Sequence, residues 1–159
     1  MKDQLFNAIR DGNHAKVKAI LSENPELVKE QDSRGSTPLL LATYFGNREL
    51  SEVILQFPQN IDAQDASGNT ALMGVCFKGF NEIAQLLVEN GANVNKTNSN
   101  GATALIFAVT FKRTEIIRLL LEHGADVLVK DDRGNTAMDH ARMQGLEDIV
   151  QLLENKKIN

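Results

Sequence analysis

The sequence predicts an all-α solenoid: about five stacked helix pairs joined by short β-hairpin-like turns. Three observations carry this. Gly35, Gly68, Gly101 and Gly134 are spaced by 33 residues each time, and each is followed two positions later by threonine (Thr37, Thr70, Thr103, Thr136). Apolar columns keep the same 33-residue step through the whole chain, whose 159 residues come to a little under five periods. Within each period those columns fall at helical spacing. A fixed period of this size marks a repeat array, in which each unit buries its apolar face only by stacking on its neighbours.

Each repeat opens on a turn. Asp32, Asp65, Asn98 and Asp131 each stand three residues before one of the glycines. An Asx side chain bonds nearby backbone and glycine tolerates positive φ, so Asx-x-x-Gly suits a tight turn. A second glycine follows eleven residues after the first at Gly46, Gly79 and Gly145, with Lys112 replacing it once. That leaves room for an inner helix of about two turns. Leu39 and Ala42, Leu72 and Val75, Leu105 and Ala108, and Met138 and Ala141 share one of its faces. The outer helix follows the second glycine. Its columns are Val17, Leu50, Ile83, Ile116, Ile149; Ile20, Val53, Leu86, Leu119, Leu152; and Leu21, Ile54, Leu87, Leu120, Leu153. They fall at i, i+3 and i+4, the stripe of an amphipathic helix.

The two ends depart from the pattern as caps should. Residues 1–31 lack the turn and its threonine; their first helix is expected from Gln4 to Asp11, and Asn24-Pro25-Glu26-Leu27-Val28 closes the unit. Residues 32–64, 65–97 and 98–130 form the internal repeats. In residues 131–159 the columns of Leu40, Met73 and Ile106 and of Thr43, Cys76 and Val109 turn polar, to Asp139 and Arg142. A terminal unit needs such a polar outer face. The chain therefore reads as one complete domain without a linker or second domain.

Composition excludes several functions. With 17 basic and 21 acidic residues the formal charge is −4, so no positive field holds a nucleic-acid backbone. No apolar run reaches the roughly 18 residues needed to span a membrane, and the amino end lacks the apolar core of a secretory signal. The single cysteine permits no internal disulfide. A cytoplasmic monomer is the expectation. No catalytic, metal or cofactor site is read from the chain. Cys76 sits in a small-residue column between helices and reads as a buried thiol. His14 (in an inter-helix loop), His123 and His140 lie in separate repeats without metal-ligand spacing. The acidic column Glu49, Glu82, Glu115, Asp148 falls in the first turn of each outer helix, where negative charge complements the helix dipole.

Thr37-Pro38-Leu39-Leu40, followed by Ala42, Gly46, Leu50 and Ile54, resembles an ankyrin repeat, as do Gly91-Ala92-Asn93-Val94-Asn95 and Gly124-Ala125-Asp126-Val127. The resemblance covers nearly the whole chain, whose compact form is similar to stand-alone bacterial ankyrin-repeat proteins. No repeat keeps the histidine usual in the family's Thr-Pro-Leu-His, only one keeps the proline, and Pro58 replaces the glycine that ends the second helix. The resemblance implies a concave face at the end of the inner helices, beside the hairpin tips. Two columns lie there: Arg10, Tyr44, Phe77, Thr110, Met143, and Asp11, Phe45, Lys78, Phe111, Gln144. Four of the chain's eight aromatic residues are among them, enough for a nearly continuous ladder across three repeats. Aromatic anchors are frequent hot spots of protein interfaces.

The expected partner-binding residues are therefore Tyr44, Phe45, Phe77, Lys78, Phe111 and Met143, with Arg34, Ser36, Asn69, Asn100 and Arg133 as a polar rim. The function expected is a non-catalytic module that binds a partner protein. Two alternatives are a regulatory or structural subunit of an enzyme complex, and a small-ligand binder or enzyme with its site in the groove.

Overall fold

A computed structural model describes the backbone of residues 1–158 and the side chains of residues 1–155. Ten α-helices form five antiparallel pairs, and no strand occurs among the described residues. The pairs are α1 (Lys2–Arg10) with α2 (His14–Glu23), α3 (Pro38–Tyr44) with α4 (Arg48–Leu55), and α5 (Ala71–Lys78) with α6 (Asn81–Glu89). They continue with α7 (Ala104–Thr110) and α8 (Thr114–Glu122), then α9 (Ala137–Met143) and α10 (Glu147–Ile158). The odd-numbered helices pack on one another as an inner layer and the even-numbered ones as an outer layer. This is the expected solenoid. The first helix begins two residues earlier than expected, and Pro25–Lys29 adds a 3-10 turn that closes the first pair.

The turn residues act as the sequence requires. Oδ1 of Asp32 accepts the N–H of Arg34 and of Ser36, each at 2.9 Å. Asp65, Asn98 and Asp131 hold their own turns with the same two bonds at 2.9–3.0 Å. Neighbouring turns are joined by one backbone bond each, from Ala66 to Arg34, Ser99 to Ser67 and Asp132 to Asn100, at 3.2, 3.1 and 3.0 Å. The threonine two residues past each glycine is the N-cap of the inner helix. Thr37, Thr70, Thr103 and Thr136 each accept the N–H three residues on, at 3.1–3.2 Å. Such a cap is worth about 1 kcal/mol.

The core runs the length of the stack without a break. Leu50, Ile54, Leu87 and Leu120 are wholly buried, as the columns predict. In the column of Ile20, Val53, Leu86, Leu119 and Leu152, Ile20 is buried and the other four are only half-buried. In those four pairs the buried place is taken by Ser51, Ala84, Ile117 and Val150. An outer helix packs on two sides, against its own inner helix and against the next outer helix. Its buried stripe is therefore rotated from the one periodicity alone selects. At Pro58 the outer helix stops early, and the Gln59 side chain donates to the carbonyls of Ile54 (2.7 Å) and Phe57 (3.1 Å) in place of the missing turn.

Where Lys112 replaces the second glycine, the backbone does not change course. Its φ is +61°, beside +75°, +82° and +68° at Gly46, Gly79 and Gly145. The closing bonds match too: Arg113 donates to Ala108 at 2.8 Å as Asn47 donates to Ala42 at 3.2 Å. The stack thus holds a lysine in a left-handed conformation that costs an L-residue about 1–2 kcal/mol. Lys112→Gly should raise stability by about 0.5–1 kcal/mol, the relieved strain being partly offset by the entropy of glycine in the unfolded chain. Gly68→Ala should do the opposite and cost about 2 kcal/mol or more. There φ is +80° and a Cβ would stand 2.7 Å from the Ser99 backbone nitrogen. Urea denaturation of both variants checks the pair of signs.

Candidate functional site: the concave edge of the inner helices

From the second pair on, each inner helix starts at its threonine cap and ends two turns later beside the second glycine or its substitute Lys112, so its last residues reach the same edge of the stack. That edge is where the apolar surface is. Seven large apolar side chains are exposed among the described residues, and five of them are Tyr44, Phe45, Phe77, Phe111 and Met143. Phe45 (52%) and Met143 (62%) stand furthest out, while Phe77 and Phe111 are 38% exposed. Lys78 and Arg34, Asn100 and Arg133 at the tips are exposed as well. Ser36 and Asn69 are half-buried, and Asn69 Oδ1 accepts Asn98 Nδ2 at 2.9 Å.

The side chains meet diagonally, each with a residue 34 further along, rather than as one row of stacked rings. Phe77 and Phe111 form an edge-to-face pair with centroids 4.7 Å apart and planes at 83°. The Lys78 ammonium lies 4.7 Å above the centre of the Tyr44 ring, a cation–π contact. Gln144 Nε2 donates to the Thr110 carbonyl at 3.1 Å on the same diagonal. Among the described residues Phe77 and Phe111 are the one ring–ring contact, so the expected ladder is a series of pairs. Arg113 braces the Phe77 end, its Nη2 donating to the Phe77 carbonyl at 2.8 Å.

A feature absent from the sequence reading lies beside Tyr44. A groove of about 590 Å³ runs between the first three inner helices, lined among others by Arg10, Arg34, Leu41, Tyr44, Asp65 and Gly74. Gly74 opens it. It occupies the column of Leu41, Phe107 and His140 in mid-α5, and it is the one of 11 glycines without a positive φ. A Cβ there would meet Tyr44 Cδ1 at 3.6 Å, an ordinary contact. Neither a turn nor crowding requires glycine. The available signal was a glycine inside a helix, which costs roughly 0.5–1 kcal/mol against alanine.

The titratable groups have structural partners. Cys76 is fully buried, and its surroundings push the thiol well above its ordinary pKa. His14 is the first residue of α2 rather than a loop residue, with Nε2 3.2 Å from Asn47 Oδ1. His123 caps its own helix through the Leu119 carbonyl at 2.9 Å. Glu49, Glu82, Glu115 and Asp148 occupy first turns of outer helices, as expected. No group of three or more His, Cys, Asp or Glu among the described residues is arranged to hold a metal ion. Among the described residues no helix is long and apolar enough to cross a membrane.

This is a helical-repeat scaffold that presents one exposed aromatic edge and one groove. The family model for ankyrin repeats (3 copies) matches residues 5–98 and again 75–159. The chain belongs to the ankyrin-repeat family, whose repeats generally serve as protein–protein interaction modules. No curated protein matches it.

His140 Nε2 lies 2.8 Å from Asp131 Oδ2 at this edge, the two joined by a hydrogen bond. Burial raises the Asp131 pKa, but the N–H groups of Asn135 and Arg133 and the imidazole outweigh it, and the net shift is downward. The ionised carboxylate therefore stabilises the fold fully above its unfolded pKa of about 3.9. That contribution is lost as pH falls through the lower folded value. Asn98 shows that asparagine holds the same turn. Asp131→Asn should be less stable than the native chain at neutral pH and lose less stability on acidification below about pH 4. Denaturant midpoints at about pH 6 and pH 3 measure the difference.

Proposed function

We propose that the chain is a non-catalytic interaction module that captures a partner protein along its concave edge and hairpin tips, acting as a cytoplasmic monomer. The observation that carries this reading is the concentration of exposed apolar side chains in two columns of one edge. Chance exposure would scatter them, as the remaining two, Met1 and Leu128, are scattered. Fully covered aromatics bury about 150–250 Å² each, and contiguous apolar patches of a few hundred Å² mark interaction sites. Arg34, Ser36, Asn69, Asn100 and Arg133 supply the polar rim. A stiff stack offers these contacts already in place, so little ordering entropy opposes binding.

Phe45→Ala should change stability by less than about 0.5 kcal/mol. Phe77→Ala or Phe111→Ala should each cost about 1 kcal/mol through the lost ring pair. Combined, the three should abolish retention of the partner by the immobilised chain in its native lysate while leaving a cooperative unfolding transition. Unchanged retention, or collapse of the fold, would count against this edge as the binding surface.

A further inference from the structure

The four turn-forming Asx residues use Oδ1 in the same way, so their remaining side-chain atoms can be compared directly. Asp32 Oδ2 lies 3.9 Å from Arg10 Nη2. Asn98 Nδ2 donates to Asn69 at 2.9 Å. Asp131 Oδ2 accepts His140 Nε2 at 2.8 Å. Each of these carboxylates thus has a nitrogen partner on a basic side chain, and the amide has an amide. Asp65 is the exception. No charged nitrogen of the described side chains comes within 4.0 Å of it, and its Oδ2 accepts no hydrogen bond among them.

The reason is in the register. His140 stands nine residues after Asp131, and the residue nine after Asp65 is Gly74. The space that an imidazole fills in the last repeat is open in the third, and it is part of the groove beside Tyr44. The chain therefore carries its own template for what belongs there: a planar N–H donor on the carboxylate. Leu41 and Ala71 make the adjoining wall apolar, and Tyr44 presents a ring edge. Arg10 and Arg34 also line the groove; Arg10 Nη2 lies 3.9 Å from Asp32, and Arg34 is exposed and forms no ion pair among the described residues.

We propose that the groove over Gly74 receives an arginine side chain of the partner protein, whose guanidinium takes the place at Asp65 that His140 holds at Asp131. Guanidinium is planar, weakly hydrated and matched to a carboxylate, and it tolerates an aromatic and aliphatic wall better than an ammonium does. The inference rests on the concave face being the binding surface and names the chemistry of one contact on it.

The test uses the intact chain and a pentapeptide probe with arginine at its centre between serine and glycine residues, followed by amide chemical shifts. Saturable shifts at Gly74 and Asp65 are expected, with none from the same peptide carrying glutamate. Asp65→Asn keeps the turn, as Asn98 does, and should weaken binding at least about tenfold, the loss of one charged hydrogen bond. Gly74→Leu restores the residue type of Leu41 in the same column and should abolish binding by filling the groove, with the fold verified by its unfolding transition. Equal shifts from the glutamate peptide, or undiminished binding by either variant, overturn the assignment. Because the probe avoids Phe77 and Phe111, its failure while the phenylalanine substitutions still abolish partner capture overturns the arginine assignment alone. Loss of neither function in those substitutions strikes the broader reading instead.

Discussion

None of the inner helices is long enough to stand by itself. The inner helices have seven to nine residues, below the roughly 12–15 at which an isolated helix becomes marginally stable in water. Each forms because its apolar face is covered by the neighbouring pairs, two for an internal unit and one for a terminal one. That coverage requires the same residue types to return every 33 positions, and the rest of the structure follows from it. The turns must repeat because the faces must repeat. The Asx and threonine bonds recur at nearly constant length because one backbone path is being copied.

The same constraint explains where function can reside. A position that faces a neighbour on either side is fixed by stacking, and a substitution there opens a cavity or a strain. Lys112 shows how strong the copying is, since a lysine is held at φ +61° to keep the path of its glycine counterparts. Freedom remains only at edges that stacking does not use. The ends of the inner helices are such an edge, and the apolar side chains there are exposed without being needed for the core. Gly74 is a different case, a core-adjacent position left empty, and the groove is its direct consequence.

Electrostatics reinforce this division. The acidic column of the outer helices is spent on helix ends and on ion pairs such as Arg48 with Glu82 at 3.6 Å. Such exposed pairs contribute little to stability. The Asx heads of the inner turns are bound into backbone geometry, and what distinguishes one from another is the partner of the second side-chain atom. Among the four, Asp65 is the one whose second atom has no partner among the described side chains, and it lines the groove.

Much of this was legible in the sequence. The 33-residue step gave the number of helix pairs, the turn residues and the register, because a repeat writes each local rule several times over. The aromatic edge was legible as well, since column position fixes which end of which helix a residue occupies. Other features needed the tertiary structure. Periodicity could not separate the half-buried column of Leu86 and Leu119 from the buried one of Ala84 and Ile117, because which side of a helix is covered depends on the neighbouring repeat. Ring contacts between Phe77 and Phe111 depend on rotamers across a repeat boundary, which spacing does not specify. The pairing of Asp131 with His140, and the lack of such a pair at Asp65, became visible only when the turns and helices were brought together. Sequence determined the scaffold, because its rules are local and repeated; tertiary structure decided the groove and the side-chain pairings along the edge, because these arise where one repeat breaks from the others.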